Sequence, residues 1–184
     1  MYAKISFVGA CFKLGFLKQL AEQGVIVLHK FNMKPHIIIR KTIINRPLEE
    51  VFNFFSKAEN LNLLTPPELK FKILTPLPIK MSAGTIIDYK IKLNGIPFNW
   101  KTEICDWKVN EYFVDQQLKG PYRIWHHTHS FKAVDGGTQM IDEVKYLSPG
   151  WILEPFIQAL FIKKKVESIF DYRNSKLKEI FPDK

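Results

Sequence analysis

The chain has 184 residues, 46% hydrophobic and 24% charged, which suits one globular domain and is too apolar for a disordered chain and too charged for a membrane bundle. Its net charge of +9 would serve nucleic acid, an anionic surface or solubility equally, whereas 15 Phe, 6 Tyr and 4 Trp supply rigid apolar surface suited to lining a small-molecule pocket. Cys11 and Cys105 lie far apart without CxxC spacing, which argues against a disulfide framework or a cysteine zinc site and for a reducing cytoplasm.

Residues 1–32 read as an N-terminal appendage: an amphipathic or disordered segment, or an overextended start ahead of Met33. Val8-Gly9-Ala10-Cys11 has the look of a lipoprotein cleavage box, but the apolar stretch before it is too short for a signal peptide. The domain, 33–184, opens with a predicted strand over His36 to Asn45. A helix signal follows, with Asn45 as cap, Pro47 in the first turn, Glu49 and Glu50 at the positive end and Val51, Phe52, Phe54 and Phe55 as its apolar face. A second short helical piece around Glu59 to Leu64 stops at Thr65-Pro66-Pro67.

Six strands are then predicted: Leu69 to Leu74, Thr85 to Leu93, Phe98 to Trp107, Tyr112 to Leu118, Tyr122 to Ala133 and Thr138 to Leu147. Turn signals separate them, including Asn94-Gly95, Gly120-Pro121 and Asp135-Gly136-Gly137. Ile87, Tyr89, Ile91 and Leu93 alternate with Asp88, Lys90 and Lys92, so one face of the sheet is covered and the other wet. After Pro149 and Gly150 the periodicity becomes helical, from about Glu154 to Ile180, through Phe156, Ile157, Leu160, Ile169, Phe170 and Leu177. The fold class is α+β: a curved antiparallel sheet gripping a long C-terminal helix, with two short helices after the first strand. No apolar run approaches the ~18 residues of a spanning helix.

Several segments carry a family resemblance. Asn45-Arg46-Pro47-Leu48-Glu49-Glu50-Val51-Phe52, Leu64-Thr65-Pro66-Pro67, Phe113-Val114-Asp115-Gln116-Gln117, the run Gly120 to Phe131 and Phe170-Asp171-Tyr172-Arg173 resemble the helix-grip proteins of the START and birch-pollen-allergen superfamily, SRPBCC. The likeness is to the ligand-binding subgroup related to polyketide cyclase/dehydrase, whose bacterial members often carry a cell-division-inhibitor-like label. It spans about residues 34–182. It implies a cavity between sheet and helix; carriers, sensors and some enzymes share the fold, so chemistry has to be argued from the site.

Period-two alternation sets Arg123, Trp125, His127, His129 and Phe131 on one face of their strand. A hairpin centred between Asp135 and Gly136 places His129 opposite Asp142 and His127 opposite Val144, with Met140, Val144 and Tyr146 beside Asp142. A similar count around Lys108 to Glu111 sets Asp115 opposite Ile104 and Gln117 opposite Thr102. The inward polar set is therefore Thr102, Asp115, Gln117, Arg123, His127, His129 and Asp142. The expected ligand-binding residues are Tyr89, Trp100, Thr102, Asp115, Trp125, His127, His129, Phe131 and Asp142.

Three readings stay open: a satisfied buried network, polar contacts that orient a hydrophobic or amphipathic ligand (lipid, isoprenoid, polyketide or aromatic), and an acid/base pair of a cyclase or dehydrase. The binding reading, with no catalysis, no cofactor and no metal, is preferred. His-x-His with a carboxylate is also a metal-ligand pattern, but no third His falls on that face. The cell-division label adds a regulatory interaction role as a further alternative. No phosphate loop, Gly-x-Ser-x-Gly elbow or nucleophilic cysteine context is present. Lys163-Lys164-Lys165 reads as a solvated helix face, with an anionic membrane surface as its alternative, and no nucleic-acid platform is visible. Asp171 and Arg173 read as helix-surface pairing. Oligomeric state is not legible.

Overall fold

A run rich in β-branched Ile and Thr over His36–Ile44 makes β1, and a helical apolar stripe over Leu48–Phe55 makes α1. In the computed structural model these open the described residues, 34–148 and 162–183. The expectations for 1–33, and for a helix beginning at Glu154, lie outside them.

The strands β2 (Lys72–Ile73), β3 (Ile86–Leu93), β4 (Ile96–Lys108), β5 (Tyr112–Lys119), β6 (Ile124–Val134) and β7 (Gly137–Leu147) follow, then the helix α2 (Lys163–Ile180). Six strands run as a meander, and β1 pairs antiparallel with β7, giving one seven-stranded sheet in the order β1-β7-β6-β5-β4-β3-β2. The predicted hairpin registers hold: His129 faces Asp142, His127 faces Val144, Ile104 faces Asp115 and Thr102 faces Gln117. Asn94 and Gly95, at φ 51° and 83°, form the tight β3–β4 turn whose left-handed backbone matches strand twist.

Four local expectations are corrected. The strand expected over Leu69 to Leu74 shrinks to Lys72–Ile73, because Pro67–Leu69 takes a 3-10 turn that ends at Lys70 with φ 46°. Asn45 does not cap α1: its amide donates to Asp183 near the C-terminus, and α1 starts after Pro47 without a side-chain cap. The strand expected from Tyr122 begins at Ile124, since both backbone polar groups of Tyr122 are held by Gln117. Cys105 is disulfide-bonded, its partner lying outside the described residues, so cysteine usage no longer argues for a reducing compartment. Among the described residues no helix is long and apolar enough to cross a membrane.

Two apolar clusters fill the concave side. One joins Phe52, Phe55, Phe113, Phe131, Met140 and Leu177; the other joins Trp100, Tyr122, Val144, Tyr146, Val166 and Phe170. On β6 the pair His127 and His129 lies between Phe131 of the first cluster and Trp125, which packs on the second. On β7 Asp142 lies between Met140 and Val144, and on α2 Arg173 lies between Leu177 and Phe170. A polar belt thus crosses the core between two greasy layers.

At the β6–β7 turn, a Cβ on Gly137 would stand 2.3 Å from the Ile44 carbonyl oxygen and 2.9 Å from the Asn45 Cα, both backbone atoms. Gly137→Ala therefore has to push the end of β1 off the sheet. Chemical denaturation should show a loss of about 2 kcal/mol, in the range of an overpacked site. Unchanged stability would mean that the β1 end gives way freely.

Candidate functional site

The belt and the second aromatic cluster wall a cavity of about 170 Å³. Seven of the nine expected residues line it: Tyr89, Trp100, Thr102, Asp115, Trp125, His127 and His129. Two do not. Phe131 faces inward but is taken up by α1, packing edge-to-face on Phe52 with ring centroids 5.4 Å apart. Asp142 sits behind the imidazoles and opens onto a separate hollow beside Arg40, Thr42 and Arg173. Of the wider polar set, Gln117 is buried but spends its amide on the Tyr122 backbone, at 2.6 and 3.3 Å. Arg123 precedes β6, and its backbone N–H donates to Leu147.

The aromatic end is built by strand alternation. Tyr89 and Trp100 face each other across β3 and β4 and stack at 5.6 Å, while Trp100 meets Trp125 and Tyr122 edge-on. Tyr89 Oη and Thr102 Oγ1 lie 3.1 Å apart. Burial pushes the phenols of Tyr89 and Tyr122 up, so both stay neutral donors. The indole Nε1 of Trp100 is buried and has no hydrogen-bond partner among the described residues.

At the belt, His127 Nε2 donates to Asp142 Oδ1 at 2.8 Å, and His129 Nε2 donates to Asp115 Oδ2 at 3.1 Å. His129 Nδ1 is also 2.8 Å from Asp142 Oδ1, but outside hydrogen-bond geometry, so that contact is electrostatic. His127 Nδ1 stands 3.6 Å from Asp115 Oδ2. The two imidazole rings lie 3.7 Å apart, and Phe113 stacks on His129 at 4.3 Å.

Arg173, one of the two helix residues expected on the surface, is 8% exposed and reaches Asp142 Oδ1 with Nη1 at 3.4 Å. Its Nε is buried with no partner among the described residues, and the residue lines the cavity. Asp171 does stay outside, 3.9 Å from Arg40. The signal for Arg173 was present: Val166, Phe170, Arg173 and Leu177, the buried residues of α2, share one stripe at helical spacing. Tyr122, Phe170 and Ile169 also line the cavity without having been expected there.

The charges divide by their partners. Burial would raise both carboxyls, yet Arg173 with the two His holds Asp142 well below the usual range, and His129 with His127 holds Asp115 below it. Burial, then the neighbouring His129, pushes His127 down. For His129 burial is outweighed by Asp115 and Asp142, and the ring is held above its ordinary value. Asp142 is thus paired with Arg173, and Asp115 is held by the two imidazoles.

A family model described as polyketide cyclase / dehydrase and lipid transport matches residues 44–165. Among solved structures, protein CV1439 from Chromobacterium violaceum aligns with TM-score 0.62 at 11% identity, covering 80% of this chain and 98% of its own. Ginseng major latex-like protein 151 from Panax ginseng gives 0.60 at 8% identity, covering 82% and 100%. The Zhui aromatase/cyclase from Streptomyces sp. R1128 gives 0.57 at 11%, covering 79% and 95%. These likenesses concern the fold. No curated protein matches the sequence.

Proposed function

The chain belongs to the polyketide cyclase / dehydrase and lipid transport family, and from that premise we propose that it binds a hydrophobic or amphipathic small molecule in this cavity without turning it over. One observation carries the reading. Two buried donors of residues that line this largely aromatic cavity, Trp100 Nε1 and Arg173 Nε, have no acceptor among the described residues. Buried polar groups are satisfied almost without exception, so an acceptor brought by a ligand is the natural complement.

The ligand this chemistry selects has an apolar ring or chain for the Tyr89, Trp100 and Trp125 end and oxygen acceptors for the indole and guanidinium. Burial of its apolar surface drives binding at about 25 cal/mol per Å², and the polar belt sets its orientation. A cavity of about 150 Å³ is enough for benzene, so the space seen here, about 170 Å³, holds one ring. Anything longer requires α2 or the loop bearing Leu61 to Leu69 to shift. Lys163 and Lys164, exposed at the start of α2, would face an anionic membrane surface during loading.

Native mass spectrometry of the full chain, followed by denaturation, should release an organic molecule. Trp100→Phe keeps the ring and loses the donor, so it should weaken retention of an oxygenated aromatic probe about tenfold, the equivalent of one buried hydrogen bond. A bare protein mass, together with tryptophan fluorescence indifferent to such probes, would defeat the proposal. Turnover is the competing reading, favoured by the 2.8 Å bond between His127 and Asp142. Changing His129 or Asp142 to Ala separates the two: ligand retention only weakens if these groups orient, and product formation disappears if they catalyse.

A further inference from the structure

We propose that Asp115, His127 and His129 form a binding site for one divalent transition-metal ion on the cavity wall. Each of the three offers one ligand atom, all within 4.8 Å of one another, and Asp115 Oδ2 faces His127 Nδ1 and His129 Nε2. The carboxylate oxygen stands 3.6 Å from the first nitrogen and 3.1 Å from the second. Bonds of about 2.0 Å in tetrahedral geometry put neighbouring ligand atoms about 3.3 Å apart, and the two observed spacings bracket that value. Two imidazoles and one carboxylate suit zinc and its first-row neighbours.

The groups behind the ligands have the arrangement such a site needs. A metal-bound imidazole usually directs its other N–H at a carboxylate, which sets tautomer and orientation. Here the outer nitrogen of His127, Nε2, donates to Asp142 Oδ1 at 2.8 Å; that of His129, Nδ1, lies 2.8 Å from the same oxygen but needs a small ring rotation to aim its N–H there, and Asp142 is held in turn by Arg173 at 3.4 Å. With a proton on each outer nitrogen, both inner nitrogens turn lone pairs towards Asp115. Three electron-rich atoms then face one point and repel one another unless a cation lies between them.

The charge balance agrees. With both rings neutral, the belt sets two buried carboxylates, Asp115 and Asp142, against the single guanidinium of Arg173. For the ion to enter, the bond from His129 Nε2 to Asp115 opens and the ion takes the place of the Nε2 proton, which moves to Nδ1 or, where Nδ1 already carries one, leaves to solvent. All three ligands line the cavity, so the ion would keep at least one coordination position open to it. The site does not depend on the organic-ligand reading.

The test uses the full chain, stripped with a chelator and titrated with Zn²⁺ by calorimetry and with Co²⁺ by visible absorption. The expected result is one ion per chain and an intense four- or five-coordinate cobalt spectrum. Asp115→Asn, which preserves shape, should weaken binding at least tenfold, and Asp142→Asn tenfold to a hundredfold, as loss of an orienting carboxylate does. His127→Gln with His129→Gln should abolish it. Circular dichroism checks that each variant is folded, and Asp115→Asn alone decides the matter if the double variant is not.

No zinc uptake by the folded parent chain, or uptake that Asp115→Asn leaves unchanged, would overturn the proposal. Binding of an apolar fluorescent probe, followed in parallel, reports on the cavity alone. Failure of the metal site and failure of the ligand reading are therefore separate results.

Discussion

Arg173→Met is expected to destabilise the chain by about 3 kcal/mol, the cost of stranding a buried carboxylate whose cationic partner is gone. Asp142 is 4% exposed, its oxygen Oδ1 meets Arg173 Nη1 at 3.4 Å, and of the remaining contacts to that oxygen only the one from His127 is a hydrogen bond. Met keeps the apolar stem of Arg173, whose guanidinium lies 5.3 Å from the Phe55 ring and 5.8 Å from that of Phe170, so the loss reports the charge more than the packing. The double variant with Asp142→Asn removes both charges and should recover about 2 kcal/mol of coupling energy. Urea unfolding of the four proteins completes the cycle. A loss below about 0.5 kcal/mol, as at an ordinary surface position, would show that Arg173 plays no part in holding the belt together.

Phe52→Ala should cost about 4 kcal/mol, near the middle of the range for deleting a buried aromatic ring. Phe52 is 2% exposed and, with Phe55, carries α1 onto the sheet. Its ring meets Trp107, Phe113 and Phe131 edge-on at 5.4, 6.2 and 5.4 Å. The neighbours come from β4, β5 and β6, whose backbones are fixed by ladder hydrogen bonds, so the space left by the ring collapses poorly. Domains of this kind have total stabilities of about 5–15 kcal/mol, and the variant should melt much earlier or express poorly. Phe52→Leu, which refills most of the volume, should recover more than half of the loss. If Phe52→Ala costs less than about 2 kcal/mol, the aromatic cluster is not a rigid part of the core.

The sequence by itself determined whatever is periodic or local in the chain. Alternation along Ile124–Val134 put His127 and His129 on the inner face, and the Asp135-Gly136 turn set His129 opposite Asp142, because a hairpin of known length leaves no freedom of register. The same reasoning paired Asp115 with Ile104, and a match to known motifs supplied the helix-grip architecture. Contacts between elements far apart in the chain were decided only by the tertiary structure.

Arg173 lies 31 residues beyond Asp142, and its place on the buried stripe acquires meaning only when the curved sheet selects which side of α2 it will hold. Phe131 was read correctly as inward, but α1 had to arrive before it became core instead of cavity wall. Asn45 gave up its capping role to Asp183, 138 residues away. Gln117, read as one of the inward polar residues, became a clamp on the Tyr122 backbone once the β5–β6 connection folded back over it. Strand period and turn length act through neighbouring residues and leave a repeating trace in sequence. Packing of helix on sheet depends on the complementarity of two finished surfaces, and that exists only after both have formed.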